Sequence, residues 1–258
     1  MTASLSLADL PIDVFVVFAV FCRVGAFFMT APALGDFSLS PRLRLAAAIA
    51  VTAALAPVMA GAYPDWARAG GLGEMTAIIA GEVLFGGFLG LAAKMFMSAL
   101  NVAGQIIAFQ MGLSLAQVFD PTQQLQGAIV GGFLAILGTT MIFATDLHHM
   151  MLLALKDSYH LLAPGVLPQF GDMSAVMVET LSAAFSLGLR LAAPFVLFGL
   201  VFYVGAGVLN RLMPQAQVFF MLMPANLGLG LMLLMLTTGL LMSVFLDRFE
   251  AFLAPFRG

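Results

Sequence analysis

Apolar residues fall in long runs separated by short polar breaks, and the run lengths predict membrane-scale helices. A spanning helix needs about 20 such residues. The first run covers 14–30, is flanked by Asp9, Asp13 and Asp36, and is interrupted by Arg23. It has no positively charged leader, so a retained helix is expected rather than a cleaved signal. The second, 43–62, begins at Arg42 and Arg44 and closes on Tyr63 and Trp66, as interfacial aromatics do. The third, about 74–101, holds Glu82 and Lys94. The fourth, 127–145, is uncharged and ends in Asp146, His148 and His149, before a polar, Pro-containing connection over 156–172.

The last third carries longer runs. Residues 175–209 are apolar except for Glu179 and Arg190, and 212–246 hold no charge. Each would be roughly 50 Å long as a helix, against a hydrocarbon core of about 30 Å. Tilt does not absorb that difference comfortably. Pro214 and Pro224 predict a turn near 213–225 between two long helices, about 176–212 and 225–254, with Pro194 kinking the first. With six helices, Arg42, Arg44 and Arg211 fall on one side and Arg68, Lys156, Arg248 and Arg257 on the other. The basic residues set no orientation, which suits helices placed partly by a larger protein assembly rather than by lipid.

Composition narrows the class. Of 258 residues, 62% are hydrophobic and 9% charged, and the mean hydropathy is +1.07. Soluble domains carry about 25% charged residues, so a soluble enzyme is excluded. The net charge of −3 and the absence of a basic run argue against a nucleic-acid partner. Cys22 stands alone, so no internal disulfide forms and a buried, inert thiol is expected. No HExxH, GxSxG, Cys pair or Walker A pattern occurs, so no catalytic residue, cofactor or metal site is expected. In the DLHH run, adjacent histidines on a regular helix point about 100° apart and make a poor chelate. His160 stands alone.

Charges inside apolar segments are costly when they face lipid. Six occur: Arg23, Glu82, Lys94, Asp146, Glu179 and Arg190. They fit an ion pathway, pairing within the fold, or contact with a partner subunit. Glu179 and Arg190 share a helical face but are too far apart to pair. Gly86 and Gly90, and Gly127 and Gly131, form GxxxG pairs that allow close helix approach. Eighteen methionines, among them Met213, Met221 and Met223, supply either core filler or an adaptable sealing surface. The segment 104–127, GQIIAFQMGLSLAQVFDPTQQLQG, has six glutamines, one acid and no basic residue. It is too polar for lipid and too apolar for a solvated loop. It reads as re-entrant or pore-facing, or else as an external loop with a short amphipathic helix.

Four stretches carry a family resemblance: CRVGAFFMTAPALGDFSLSPRLRLAAAIA (22–50), GEVLFGGFLGLAAKMFMSALNVAGQIIAFQMGLSLAQVFDP (81–121), LRLAAPFVLFGLVFYVGAGVLNRLMPQAQVFFMLMPANLGLGL (189–231) and FLDRFEAF (245–252). Together, and in this order, they make the chain resemble the FliR family of flagellar type III export proteins, with SctT its injectisome counterpart. The resemblance implies an all-α integral membrane protein of kinked, overlong helices forming hairpins. It implies a FliP-like part over 1–174 with a central loop, about 104–127, that plugs an export channel, then a FliQ-like helical hairpin over 175–258. The implied plug residues are Phe109, Gln110, Met111, Leu113, Phe119 and Asp120. Subunit contacts are expected at Arg23, Glu82, Lys94, Glu179, Arg190 and Gln215. The implied partners are FliP and FliQ, with FlhB wrapped around them and FlhA below. Unfolded flagellar proteins would cross the inner membrane here, at the flagellar basal body, without a cofactor. The competing class is a proton-coupled secondary transporter relaying protons through Glu82, Asp146 and Glu179, but the inverted repeat such folds carry is not evident.

Overall fold

The computed structural model describes residues 10–35, 40–63, 72–113, 126–166, 170–213 and 218–256. Among them are seven α-helices and no strand: α1 (Leu10–Thr30), α2 (Pro41–Met59), α3 (Leu72–Gln110), α4 (Gln126–Ala144), α5 (Leu147–Leu161), α6 (Phe170–Leu212) and α7 (Val218–Leu253). Short 3₁₀ turns at Ala60–Ala62 and Ala254–Phe256 follow α2 and α7. The chain is an all-α membrane protein. Four helix segments, Pro41–Ala62 (α2 with its 3₁₀ turn), Leu72–Gln110, Phe170–Leu212 and Met221–Phe256, are long and apolar enough to cross a bilayer. The helices α4 and α5 reach that length and apolarity only as a pair broken at 145–146, as a broken span or a re-entrant segment, and α1 is a shorter apolar helix.

Local sequence explains the helix ends. Ser40 caps α2, its hydroxyl accepting from the Leu43 amide at 3.3 Å, with Pro41 as the first helical residue. The end of α3 is a Schellman motif. Gly112 takes the left-handed conformation (φ 78°), its amide donates to the Phe109 carbonyl, and the Leu113 amide donates to that of Ala108. A side chain at Gly112 would strain that turn, which gives the FQMG sequence a physical reason.

Three boundaries differ from expectation. The segment expected as a loop from residue 104 stays helical through Gln110, because glutamine is a good helix former and Gly104 serves packing rather than a break. The connection expected over 156–172 begins only after Leu161, which ends α5. The turn expected over 213–225 is shorter: α7 restarts at Val218, and Pro224 lies inside it. Proline is tolerated within apolar spanning helices, where neighbours re-satisfy the freed backbone groups. Pro57 and Pro194 likewise lie inside α2 and α6.

The chain forms two compact units. One comprises residues 1–94, 146–179 and 250–258, the other 95–145 and 180–249. In the first, α1 packs on α2 and on the early turns of α3. A Cβ on Gly86 would collide with the Arg23 carbonyl, and one on Gly90 with Thr30 and Ala31. In the second, the later turns of α3 are the core: Ala99, Leu100, Ala103 and Ile107 are fully buried. There Gly104 of α3 lies against the backbone of Gly131 in α4, and Gly188 of α6 against Val102 and Ala99. Phe96 packs with tilted rings against Phe245 and Phe249 of α7 at centroid distances of 6.3 and 6.0 Å. The small residues thus serve close helix packing within the chain.

Candidate functional site

Two arrangements stand out, one in each unit. In the first, Arg23 of α1 is fully buried beside Glu82 of α3. The Arg23 Nε donates to Glu82 Oε2 at 2.5 Å, and Nη2 donates to Oε1 at 3.2 Å. Nη1 donates to the Ser158 hydroxyl at 3.1 Å, and Nη2 also to the Leu162 carbonyl at 2.8 Å. Four of the five guanidinium N–H groups are therefore satisfied. The Tyr159 ring lies 3.8 Å from the guanidinium carbon and Phe85 5.3 Å away, close enough for cation–π attraction. The charge is affordable in an apolar body only because it is paired, hydrogen-bonded and sandwiched. The Tyr63 and Tyr159 hydroxyls are buried beside this pair and interact with each other, and that of Tyr63 also with Glu82. Tyr63 sits just beyond the span ending at Ala62. Burial first, then the Glu82 carboxylate, push its phenol up, so it stays neutral.

Arg23 and Glu82 were expected to meet other subunits. In the structure they meet each other, across 59 positions of sequence. They hold α1, α3 and α5 together inside one unit. Nothing in the sequence pattern singled out Ser158, Tyr159 or Tyr63 as their surroundings.

The second arrangement holds the end of α3. Asn226 of α7 donates from its amide to the Gln110 carbonyl at 3.2 Å, satisfying one of the carbonyls a helix terminus leaves open. Met111 is 1% exposed and lies over Gly230 of α7, whose missing side chain makes the room. The Gln110 side chain lies over Gly199 of α6 in the same way. Two separate stretches of sequence, FQMG and MPANLGLG, therefore form one clamp. Phe109 faces outward, 62% exposed, and Leu113 is half-buried. Phe119, Asp120 and Gln215 lie outside the described residues.

A family model for bacterial export proteins, family 1, matches residues 14–252. The chain belongs to the FliR family of bacterial export proteins. It is similar to the flagellar biosynthetic protein FliR of Caulobacter vibrioides, 38% identical over 245 residues, which cover 95% of this chain and 96% of the relative. The FliR of Aquifex aeolicus is 28% identical over 91% of this chain and 89% of its own. That of Escherichia coli is 29% identical over 82% and 80%.

In this FliR-family chain the remaining expected contact residues behave unlike Arg23 and Glu82. Lys94, Glu179 and Arg190 are all exposed. None has an ion-pair partner among the described residues. Their neighbours on α6 include Val178, Leu181, Phe185 and Leu189, each at least half exposed. Glu82, Asp146 and Glu179 are not gathered into a relay: Glu82 is locked to Arg23, Asp146 lies beside His149, and Glu179 stands exposed on α6.

The DLHH run also differs from expectation. Asp146 takes a left-handed conformation (φ 59°) at the start of α5. The His148 and His149 rings come within 4.0 Å of each other, centroid to centroid, at an interplanar angle of 36°. Both histidines lie within α5, so their side chains leave the helix about 100° apart and side-chain rotation brings the rings together.

Proposed function

We propose that this chain is a non-enzymatic channel subunit of the flagellar type III export gate, assembling with FliP and FliQ in the inner membrane at the flagellar basal body. FlhB would wrap this assembly and FlhA lie below it, and unfolded flagellar proteins would pass through. Residues 1–174 would act as the FliP-like part and 175–258 as the FliQ-like hairpin. The observation that carries this reading is the pairing of FliR-family membership with three helices too long for a bilayer. At about 1.5 Å per residue, α3, α6 and α7 are about 58, 64 and 54 Å long, against a core of about 30 Å. Their surfaces stay largely apolar and open: only 22% and 28% of the most apolar windows of α6 and α7 are buried. Neighbouring subunits are the natural cover for such faces. Lys94, Glu179 and Arg190 would find partners there.

The segment following the Schellman turn at Gly112 would close the channel. Its root is held by Asn226 and Gly230, and the exposed Phe109 would add an apolar contact at that root. Co-expression with FliP and FliQ, followed by native mass spectrometry, tests the assembly. Recovery of this chain alone, with FliP and FliQ abundant in the same membranes, would overturn it. Deleting residues 114–123 should make assembled membranes leaky to small solutes. Unchanged conductance would show that the segment is no plug.

A further inference from the structure

We propose that Asp146, His148 and His149 form a binding site for a divalent transition-metal ion of the zinc class at the start of α5. One ligand atom from each residue lies within 4.8 Å of the other two. The His149 Nδ1 to Asp146 Oδ1 separation is 3.4 Å. That is long for a charge-assisted hydrogen bond. It matches the edge of a tetrahedron whose centre binds nitrogen and oxygen at about 2.0–2.1 Å, an edge of about 3.4 Å. Two imidazoles and one carboxylate suit zinc, cobalt, nickel or copper, whereas a single carboxylate is a poor set for calcium or magnesium.

A second observation concerns what Asp146 does not do. It occupies the N-cap position of α5, where an aspartate ordinarily accepts from a backbone amide of the first turn. Its carboxylate makes no such bond and is turned toward His149 instead. Its backbone is left-handed, which residues other than glycine seldom adopt, and its carboxylate lies in one cluster with a nitrogen of each ring. Asp146 and His149 are well exposed, at 78% and 65% of their side chains, so an ion can enter and water can complete its shell. Lys156, the basic residue of α5 before His160, lies ten positions further on, about 15 Å along the helix, next to Asp157. No lysine of α5 competes for the carboxylate. A bound ion would tie the first turn of α5 to the residue that starts it.

The test uses the full chain in detergent micelles, carrying an affinity tag free of histidine and stripped with chelator. Co²⁺ is the first probe. About one equivalent should bind and give the visible bands of a four- or five-coordinate ion, which Zn²⁺ should then bleach. Asp146→Asn and His149→Ala should each weaken binding at least about tenfold, while His160→Ala should leave it unchanged. Helical circular dichroism of each variant confirms folding. X-ray absorption on the zinc-loaded wild-type chain decides the matter even where a variant misfolds: two imidazole ligands are expected, and fewer than two overturns the site. Absence of stoichiometric binding by the wild-type chain, or equal binding by His149→Ala, overturns it too. Either outcome leaves a simple exposed Asp–His pair.

Discussion

Removing the Glu82 carboxylate tests how the buried charge is tolerated. Glu82→Gln keeps one acceptor oxygen but turns an amide N–H₂ toward the guanidinium, so at most one of the two Arg23–Glu82 bonds survives. The Arg23 charge, fully buried, is then uncompensated. Breaking a buried pair from one side costs about 3–5 kcal/mol, and Arg23→Met, which strands Glu82, should cost a similar amount. For the cycle the single variant Glu82→Leu, which strands Arg23 just as completely, takes the place of Glu82→Gln, and in the double variant Arg23→Met with Glu82→Leu neither charge remains. Ser158 keeps its own bond to the Leu155 carbonyl at 2.6 Å, and the Leu162 carbonyl loses its Arg23 donor. That double variant should lie within about 2 kcal/mol of the wild-type chain. The coupling energy of the cycle is then at least about 4 kcal/mol. Reversible unfolding of the purified chain in mixed micelles of rising sodium dodecyl sulfate fraction, followed by helical circular dichroism, measures it. A coupling below about 1 kcal/mol would refute the assignment of this pair to internal packing. Tyr159 sharpens the test. Tyr159→Phe keeps the ring under the guanidinium and deletes only a hydroxyl that faces Tyr63, so it should cost no more than about 1 kcal/mol. Tyr159→Leu removes the ring and should cost about 2 kcal/mol.

Glycine replacements should divide by surroundings. Gly25→Ala meets open space and should stabilise the chain by about 0.5–1 kcal/mol, whereas Gly86→Ala drives a methyl into the Arg23 carbonyl and should destabilise by about 1–3 kcal/mol, both read in the same micellar unfolding. Asn226→Ala removes the amide that holds the Gln110 carbonyl; it should cost about 1–2 kcal/mol and speed hydrogen exchange at the end of α3, and unchanged exchange there would sink the clamp. Arg190→Glu should leave the stability of the isolated chain within about 0.5 kcal/mol, because the side chain is exposed. The same substitution should sharply reduce co-recovery with FliP and FliQ, and normal recovery would remove Arg190 from the interface.

Much of the helix layout was legible because a long apolar run has few alternatives to a helix. Two of the misread boundaries share one cause. Polar composition at Gln105 and Gln110, and proline at Pro224, mark places where a helix could end, but neighbours decide whether it does. Gly112 is different: its place in FQMG ends α3 by local geometry alone. The clamp on that end was not legible, because Asn226 lies 116 positions from Gln110 and no local period links them. In the DLHH run helical spacing fixes where His148 and His149 leave the backbone, but not the side-chain rotation that brings their rings within 4.0 Å.

By itself the sequence determined the class: long apolar runs and few charges force backbone satisfaction inside helices, and the ordered motifs place the chain in the FliR family. It also exposed six charges within its apolar runs as a problem to be solved. Only the tertiary structure decided how each was solved. Arg23 and Glu82, indistinguishable in sequence from Lys94 and Arg190, are neutralised within the fold because α1 and α3 approach closely at Gly86. Lys94, Glu179 and Arg190 remain on the surface. The physical reason is that hydropathy records the cost of burying a charge, while pairing depends on a few ångströms of geometry between residues distant in sequence.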